Sequence, residues 1–205
     1  MERRNLYETL KCCRQEDLDI EAMEFLEEEF SCEDFSELNF DCVSFFNCRF
    51  ERCSFKGTDF KDTVFQKCSF PAGFFRESWF SRCRFENCQL IGADFGNCGI
   101  LDTDFDGCSL RMANFSQAKL QGCSITESDL TETFFSNCRL KKIRLSRNRF
   151  VRTEFFKTKL NGIDFSDSVL EGVTISADAG ELKGAKVNLY QAAELARMLG
   201  IVIVE

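Results

Sequence analysis

The sequence predicts a solenoid, in which successive coils of one chain stack along an axis. Counted in steps of five from Ile20 to Ile175, all thirty-two positions hold a large apolar residue: twenty Phe, eight Leu and four Ile. From Val43 to Cys138, the residue two places before each of them is Val, Cys, Thr, Gly, Ser or Ala. A period of five fits neither an α-helix nor a flat strand, so each large residue and its small predecessor are predicted to face inward together.

Five-residue units such as Ala93–Asn97 and Ala113–Gln117 resemble the pentapeptide-repeat family, and the resemblance covers about residues 18–177. It implies an all-β solenoid, a right-handed quadrilateral β-helix with four pentapeptides in each coil. Residues twenty apart then lie above one another, and the thirty-two units make eight coils. At a strand spacing of ~4.8 Å, the rod is about 38 Å long.

The repeat divides the chain into three segments. Residues 1–17 lack the period and are predicted to form an N-terminal cap or arm, because the end coil of a solenoid exposes apolar side chains and strand edges. Residues 18–187 form the β-helix, with an irregular last coil after Ile175. Residues 188–205 change period and are predicted to form a helix followed by a strand.

Three points in the repeat are predicted to be irregular. In the first coil, Leu18, Met23, Glu28 and Glu33 stand at small positions, so we expect a distorted coil with both glutamates turned outward. Pro71 and Gly73 predict a β-bulge, with the inward site at Gly73 left empty. In the seventh coil, Ile143 and Asn148 stand at small positions, and Asn148 is expected to bond backbone groups of an adjacent turn.

The thirteen cysteines are predicted to be structural and reduced. Stacked Cα atoms about 4.8 Å apart lie within disulfide range, but parallel side chains in register do not point at each other. The spacing also differs from the CxxC pattern of zinc sites. Buried free Cys behaves as a small hydrophobe. Nine cysteines occupy the small inward position: Cys48, Cys53, Cys68, Cys83, Cys88, Cys98, Cys108, Cys123 and Cys138.

The composition argues against an enzyme. There is no His, which excludes Ser-His-Asp and Cys-His mechanisms and His metal sites. No Gly-rich phosphate loop follows a strand. We therefore predict no catalytic residue, no metal site and no cofactor. The first six residues lack the apolar stretch of a signal peptide and no apolar run could cross a bilayer, so we expect a cytoplasmic protein without a membrane partner.

The C-terminal segment predicts a dimer. Asn188 is a good N-cap, Gln191 stands at the capping-box position, and Gly200 is suited to end the helix. Ala192, Leu195, Ala196 and Leu199 would line one face of this helix, and the apolar strand 201–204 would follow. Residues 184–201 resemble the C-terminal element of the Qnr, MfpA and AlbG group, in which the helix joins two rods end to end. The dimer candidates are Leu195, Leu199, Ile201, Val202 and Ile203.

The same resemblance implies a function. Members of the group bind DNA gyrase and topoisomerase IV with a rod that imitates a DNA duplex in width and charge, and so protect the enzyme from fluoroquinolones or peptide toxins. The net charge of −8 has the right sign. No insertion breaks the repeat, which makes the chain more similar to MfpA than to Qnr. The alternative is a scaffold or toxin-immunity protein whose partner is not a topoisomerase. Neither hypothesis requires sequence-specific binding of nucleic acid.

Three surfaces are candidates for contact. The predicted acidic face also holds the bases Lys67, Arg84, Arg144 and Arg147. Outward Phe74 and Trp79 are candidate aromatic anchors. The basic belt, residues 139–159, holds nine bases and one acid. It is interpreted as solvated charge offset by the acids of the partner rod or by nearby Asp164 and Asp167, or else as a contact to gyrase-bound DNA. The acidic candidates are Glu24, Glu27, Glu86, Asp104, Asp106, Glu127, Asp164 and Asp167.

Overall fold

A computed structural model, which describes residues 19–204, gives the fold as a four-sided solenoid followed by one helix. Each side of a coil is a strand or an extended segment of about three residues, and the chain turns a corner every five residues. The strands are β1 (Ile20–Glu21), β2 (Glu24–Leu26), β3 (Glu29–Ser31), β4 (Asn39–Asp41), β5 (Ser44–Phe46), β6 (Arg49–Glu51), β7 (Asp59–Lys61), β8 (Val64–Gln66), β9 (Trp79–Ser81), β10 (Arg84–Glu86), β11 (Gly99–Leu101), β12 (Asp104–Asp106), β13 (Lys119–Gln121), β14 (Ser124–Thr126), β15 (Arg139–Lys141), β16 (Arg144–Ser146), β17 (Arg149–Val151) and β18 (Val169–Glu171).

The strands stack into parallel sheets, which confirms the predicted all-β solenoid. Face 1 is the seven-stranded sheet β1-β4-β7-β9-β11-β13-β15, and face 2 is the sheet that runs from β2 through β5, β8, β10, β12 and β14 to β16. Face 3 contains β3, β6, β17 and β18, and face 4 is built from single bridges such as Ser54 to Phe74. Pairing always joins residues twenty apart in the sheets, as between Phe85 and Phe105.

The core consists of vertical columns of the large inward residues. In the column that starts at Phe35 and ends at Phe155, successive phenyl rings stack with centroids 4.8–5.6 Å apart. The rings of adjacent columns meet edge to face, as Phe50 meets Phe35 at 5.7 Å. Both arrangements are favourable, since each adds about 0.5–1.5 kcal/mol to the burial of the rings.

The residue at the small inward position is small, and its side chain can also donate a hydrogen bond to a backbone carbonyl. Thr58 Oγ1 donates to the Phe35 carbonyl at 2.8 Å, and Cys98 Sγ donates to the Phe75 carbonyl at 2.8 Å. The same contact to the carbonyl 23 residues earlier recurs at Cys68, Cys83 and other positions. The predicted burial of nine cysteines is confirmed, and all eleven cysteines of the described residues are free thiols. Cys12 and Cys13 lie outside these residues.

The corners require left-handed backbone. Residues at the corner position of the repeat have φ near +50° to +70°, whether they are Gly or larger, as at Gly92 (+67°), Arg82 (+53°) and Met112 (+56°). In this conformation the corner N–H reaches the next coil, so that Arg82 N–H donates to the Leu101 carbonyl at 2.9 Å.

Two of the predicted irregularities are wrong. The first coil is regular: the Glu28 and Glu33 carbonyls accept from Arg49 and Ser54 N–H at 2.8 and 2.9 Å, and both glutamates are half-buried instead of fully turned outward. No bulge forms at Pro71, whose carbonyl accepts from Arg52 at 2.9 Å. The inward site at Gly73 is not empty either, because an added Cβ would lie 3.0 Å from the Phe70 and Phe75 side chains.

The third irregularity is confirmed at the seventh coil. Asn148 is buried, donates to the Ile125 carbonyl at 2.7 Å and accepts from Ser128 N–H at 2.9 Å, as expected. Beside it the stack opens. The sheets of faces 1 and 2 end at β15 and β16, and within residues 19–204 no backbone hydrogen bond joins 139–147 to 159–167. The Asp167 carboxylate instead accepts from Arg147 N–H at 3.1 Å.

The last coil contains two extra residues. A 3₁₀ turn at Gly180–Leu182 shifts the stacking, so that Phe165 N–H donates to the Lys186 carbonyl at 2.9 Å. Helix α1 (Leu189–Met198) follows, and Asn188 and Gln191 form the predicted capping box. The predicted strand 201–204 is wrong for the single chain, since no sheet or bridge of the described structure includes these residues, and Ile201 N–H donates to the Ala196 carbonyl at the end of α1. The predicted cap at residues 1–17 lies outside the described residues.

Candidate functional site

The acidic candidates do share one side of the rod. Glu24, Glu86, Asp104 and Asp106 lie on strands of face 2, and Glu127 lies at the corner that follows β14. Glu27 occupies the corresponding corner of the first coil. All eight candidates are exposed except Glu86, which is half-buried. Asp167 continues the row past β16 through its bonds to Ser146 and Arg147.

Face 2 is not uniformly negative, because its bases lie among its acids. Arg147 Nη2 lies 2.7 Å from Glu127 Oε1, and Arg84 Nη1 lies 3.5 Å from Glu86 Oε1. Among the described residues, no ion pair engages Glu24, Glu27, Asp104, Asp106 or Asp164. The negative potential is therefore concentrated at both ends of the face and on β12.

A shallow groove of about 260 Å³ crosses face 2 at β12, with Asp104 and Asp106 on one side and Arg144 on the other. Arg144 is held toward the groove by the Ser124 hydroxyl, which accepts from its Nη2 at 3.1 Å. Further along, the Ser146 hydroxyl donates to Asp167 at 2.6 Å and lowers the pKa of that carboxyl. Asp167 therefore remains ionised at neutral pH and accepts hydrogen bonds.

The two aromatic candidates lie on adjacent faces and do not form one patch. Phe74 bridges Ser54 and Asp94 on face 4, whereas Trp79 lies on β9 of face 1. The Trp79 indole lies against Gly99, where an added Cβ would be 2.0 Å from the ring. Both side chains are about half exposed, so each could contact a partner, but not the same flat surface.

The basic belt surrounds the rod and is neutralised unevenly. Arg147 pairs with Glu127, and Arg152 Nη2 is within bonding distance of Glu132 Oε1, each one coil earlier. Within the chain, the acids in ion pairs with the belt are therefore Glu127 and Glu132, while Asp167 accepts from the Arg147 backbone N–H. On face 1, Arg139, Lys141 and Lys142 make no ion pair within residues 19–204.

Three side chains lie as close together as the ligands of a metal site, but the negative charge of their carboxylates is already neutralised. Asp41, Cys42 and Asp62 bring their ligand atoms within 4.8 Å of one another. Lys61 already bonds Asp41, and Arg82 bonds Asp62 at 2.6 Å, so the two carboxylates are neutralised. The Cys42 thiol donates to Asp41 at 3.2 Å, and this bond raises the pKa of Cys42. A cation would have to displace these partners.

Two family models match this sequence. One, described as a pentapeptide repeat region, matches residues 78–155 and 102–175; another, described as eight copies of the pentapeptide repeat, matches residues 34–71. The chain belongs to the pentapeptide-repeat family. No curated protein matches this pentapeptide-repeat protein in sequence.

Solved pentapeptide-repeat proteins resemble the chain in fold. A trypsin-treated QnrB1, a plasmid-mediated fluoroquinolone resistance protein, is 19% identical over 90% of this chain and 100% of its own, with a TM-score of 0.44. HetL of Nostoc, involved in heterocyst differentiation, is 14% identical over 90% and 95%, with a TM-score of 0.41. An Arabidopsis thaliana protein of the thylakoid lumen is 19% identical over 84% and 87%, with a TM-score of 0.24.

The C-terminal surface of this pentapeptide-repeat protein is the most apolar one. Gln191 anchors α1, since its Nε2 donates to the Phe165 and Ser168 carbonyls at 2.8 and 2.7 Å. Leu195 packs partly against the core, while Leu199, Ile201, Val202 and Ile203 are exposed. Four further residues that are not among the predicted dimer candidates are also exposed: Leu189, Tyr190, Met198 and Val204.

Leu189 and Tyr190 are 82% and 87% exposed, more than most of the predicted dimer residues. Their position directly after the N-cap Asn188 could have indicated this, because the buried face of a short helix is set by its anchored residue, here Gln191. Among the described residues, no helix has both the length and the apolarity to span a bilayer.

Proposed function

We propose that this pentapeptide-repeat protein binds a bacterial type II topoisomerase, DNA gyrase or topoisomerase IV, through face 2, and thereby protects the enzyme from fluoroquinolones or peptide toxins. The observation that carries the proposal is the row of exposed carboxylates along a straight parallel sheet. Duplex DNA carries one charge for each ~1.7 Å of its axis, and a stiff acidic rod is attracted by the same basic groove.

The strongest local feature is β12, where Asp104 and Asp106 flank the buried Phe105 and point outward without an ion pair among the described residues. Short parallel strands with stacked core rings fix these carboxylates relative to one another. A rigid surface loses little entropy on binding, so charges that are already in place favour association.

The test is gyrase supercoiling and drug-induced DNA cleavage, measured with and without the purified protein and ciprofloxacin. The triple variant D104K/D106K/E127K should lose its effect, because exposed charges on one face are reversed while the core is unchanged. The control is E29K/E37K/E171K, which makes the same change of net charge at exposed acids of faces 3 and 4 that have no ion pair among the described residues, and it should retain activity. The proposal is contradicted if both triple variants lose their effect on supercoiling and drug-induced cleavage equally. It is also contradicted if the wild-type protein has no effect at micromolar concentration.

A second candidate is a scaffold or immunity protein whose partner is not a topoisomerase. The ion pairs Arg84–Glu86 and Arg147–Glu127 favour it, because they lower the charge density of face 2 below that of DNA. Binding measured at increasing salt concentration separates the two candidates. Binding by charge mimicry should weaken steeply once added salt shortens the Debye length below ~8 Å. A partner that binds equally at high and low salt favours the second candidate.

A further inference from the structure

Face 1 carries opposite charges at its two ends. Acidic side chains dominate the N-terminal half and basic side chains the C-terminal half, and both sets are on strands or corners of one continuous sheet. In the N-terminal half, Lys61 pairs with Asp41 and Arg82 pairs with Asp62, so these four charges are partly neutralised within the chain, whereas Asp59 has no ion pair among the described residues. In the C-terminal half, no base has an ion pair within the described residues. The side chains concerned are Asp41, Asp59 and Asp62 at one end, and Lys119, Arg139 and Lys141 at the other.

We infer that face 1 is a self-complementary surface on which a second copy of this chain docks antiparallel, about a two-fold axis between β9 and β11. Such an axis lies along the strands and sets β4 opposite β15, β7 opposite β13 and β9 opposite β11. A two-fold contact of this kind is isologous, so every pair across it occurs twice.

The charges match strand by strand in this register. Asp41 of β4 faces Lys141 of β15, and Asp59 of β7 faces Lys119 of β13. At the corner beside the sheet, Arg82 faces Asp102. No two like charges on these strands oppose each other, and Asn39 faces Arg139. Partial burial and then the charges of Asp19 and Asp41 raise the pKa of Asp59, so a lysine opposite it would be stabilising.

Other registers bring like charges together. A shift of one coil in one direction sets Asp62 against Asp102 and Arg82 against itself. A shift in the other direction sets Lys61 against Lys141. Parallel docking about an axis along the rod places β15 against its own copy and sets Arg139 opposite Lys141. Because like charges opposed across an interface are unfavourable, the charges select one register.

The centre of this surface is suited to close approach. Trp79 is 48% exposed, and its ring occupies the space that a side chain at position 99 would fill, so the sheet presents an apolar ring there. The two-fold axis brings the Trp79 rings of both copies together at the centre, with charged pairs around them. A buried aromatic centre within a polar rim is the usual arrangement of binding energy in an interface.

The size of the surface makes the association weak. Six strands of three residues cover roughly 29 by 10 Å, well below the ~800 Å² per partner of a stable standard interface. The dimer should therefore form reversibly, at high concentration and low salt.

Zero-length carbodiimide cross-linking of the full chain tests the inference. In a mixture of ¹⁴N- and ¹⁵N-labelled protein at low salt, we expect mixed-isotope cross-links between Asp59 and Lys119 and between Asp41 and Lys141. Within one chain these pairs are three and five coils apart, about 14 and 24 Å. An intramolecular bond is therefore impossible, and end-to-end dimers do not bring the pairs together.

Charge exchange supplies the matched variants. Lys119→Asp should abolish both cross-links and the salt-sensitive rise in mass by light scattering, and D59K/K119D should restore them. The control Arg149→Asp makes the same charge change on face 3 and should behave like the wild type. The inference is overturned if the wild-type protein forms no such cross-links at ~1 mM. It is also overturned if D59K/K119D is folded but does not regain the cross-links. Binding of duplex DNA at Lys119 without these cross-links would assign the basic half to nucleic acid instead.

Discussion

At the scale of single residues, the repeat demands more than a small side chain at its inward position. Cys, Thr and Ser are frequent there because each can donate to the carbonyl of the coil below, as Thr133 Oγ1 does to Leu110 at 2.7 Å. Ala and Val fit the space but leave that carbonyl without this donor. Asn148 performs the same role with a longer side chain and satisfies two backbone groups at once.

Asn148→Ala should therefore destabilise the protein more than a typical inward substitution. It leaves the Ser128 N–H buried without its acceptor and removes one of the donors to the Ile125 carbonyl, which also takes part in the β14–β16 ladder. The expected cost is about 1–3 kcal/mol in the free energy of unfolding. Urea unfolding followed by circular dichroism measures this. Cys138→Ala is the control, since it removes only a weak thiol donor to Phe115. Equal stability of the two variants would contradict the donor role of Asn148.

The thiols make a second residue-scale prediction. Burial raises the pKa of Cys83, Cys98 and Cys138 to about 12, so their thiolate fractions at pH 8 are negligible. Iodoacetamide should label the exposed Cys32 and Cys42 in native protein and spare the nine buried cysteines until denaturant is added. Intact mass after labelling in denaturant should show all thirteen alkylated, and any native disulfide would refute this.

At the scale of elements, the last turn of the solenoid depends on one buried carboxylate. Glu181 is 5% exposed, and its Oε1 accepts from Lys157 N–H at 2.7 Å and from both Ser176 donors. Its Oε2 has no hydrogen-bond partner within residues 19–204. Burial raises the pKa of Glu181, but the bonds from Ser176 and the backbone outweigh burial, so the pKa is lowered from 4.5.

Glu181→Gln should lower the free energy of unfolding at pH 7 by about 1–3 kcal/mol, since its amide would be buried without an acceptor. The folded-state pKa is depressed, so the carboxylate contributes fully above the unfolded-state pKa of 4.5 and loses its contribution as pH falls through the folded pKa. Thermal unfolding from pH 7 down to 3 should show the difference shrink below pH ~4. Glu171→Gln, an exposed change on face 3, is the control; a pH-independent difference would refute the prediction.

The C-terminal segment predicts an end-to-end dimer that can be tested without removing its helix. I201D/I203D introduces charge into exposed apolar residues while Gln191 still anchors α1. Light scattering should show a monomer, because a charge buried in an apolar contact is costly. Lys183→Asp, on the last coil, should leave the dimer intact. Dimers that persist in I201D/I203D would place the contact elsewhere, for example at Leu189 and Tyr190.

Features that depend only on adjacent residues could be predicted from the sequence, whereas features that depend on neighbouring coils or on a partner could not. The capping box at Asn188 follows from four adjacent residues. The bulge at Pro71 was wrong because the position donates no bond between coils: its equivalents Ile91 and Arg111 donate none in the described ladder, so Pro fits there without loss. Residues 201–204 have a strand composition, but a strand requires a partner that one chain does not supply.

At the scale of the whole molecule, the twenty-residue coil determines which charges meet. The pair Arg147–Glu127 follows directly from this spacing and could have been found in the sequence. The groove on face 2 and the position of the Trp79 ring could not, because side-chain directions at the corners and beside Gly99 depend on packing. The sequence places the acids of face 2 and its four bases on one side of the rod, but which of them pair, as Arg84 does with Glu86, depends on side-chain directions.

The stack is weakest where faces 1 and 2 open between the seventh and eighth coils. Ile143 stands there at a small inward position and is too large for it, and the ladder that would bond Leu140 and Lys142 N–H to the next coil is missing in the described structure. Leu140 is only partly buried, unlike Leu120 one coil earlier. Since each coil of a solenoid contacts only its neighbours, local stability should fall at this junction.

Ile143→Thr should close the opening. A threonine fits the small position, and its hydroxyl can donate to the Leu120 carbonyl in the way that Thr63 Oγ1 donates to Phe40 at 3.3 Å. Hydrogen exchange measured by mass spectrometry should then slow at residues 140–147, and stability should rise by about 0.5–1.5 kcal/mol. Val43→Thr is the matched control, because it adds the same hydroxyl to a coil whose ladder is already closed at Val64 N–H, and exchange there should not change. Equal slowing in both variants would mean that the hydroxyl alone, and not closure of the coil, is responsible.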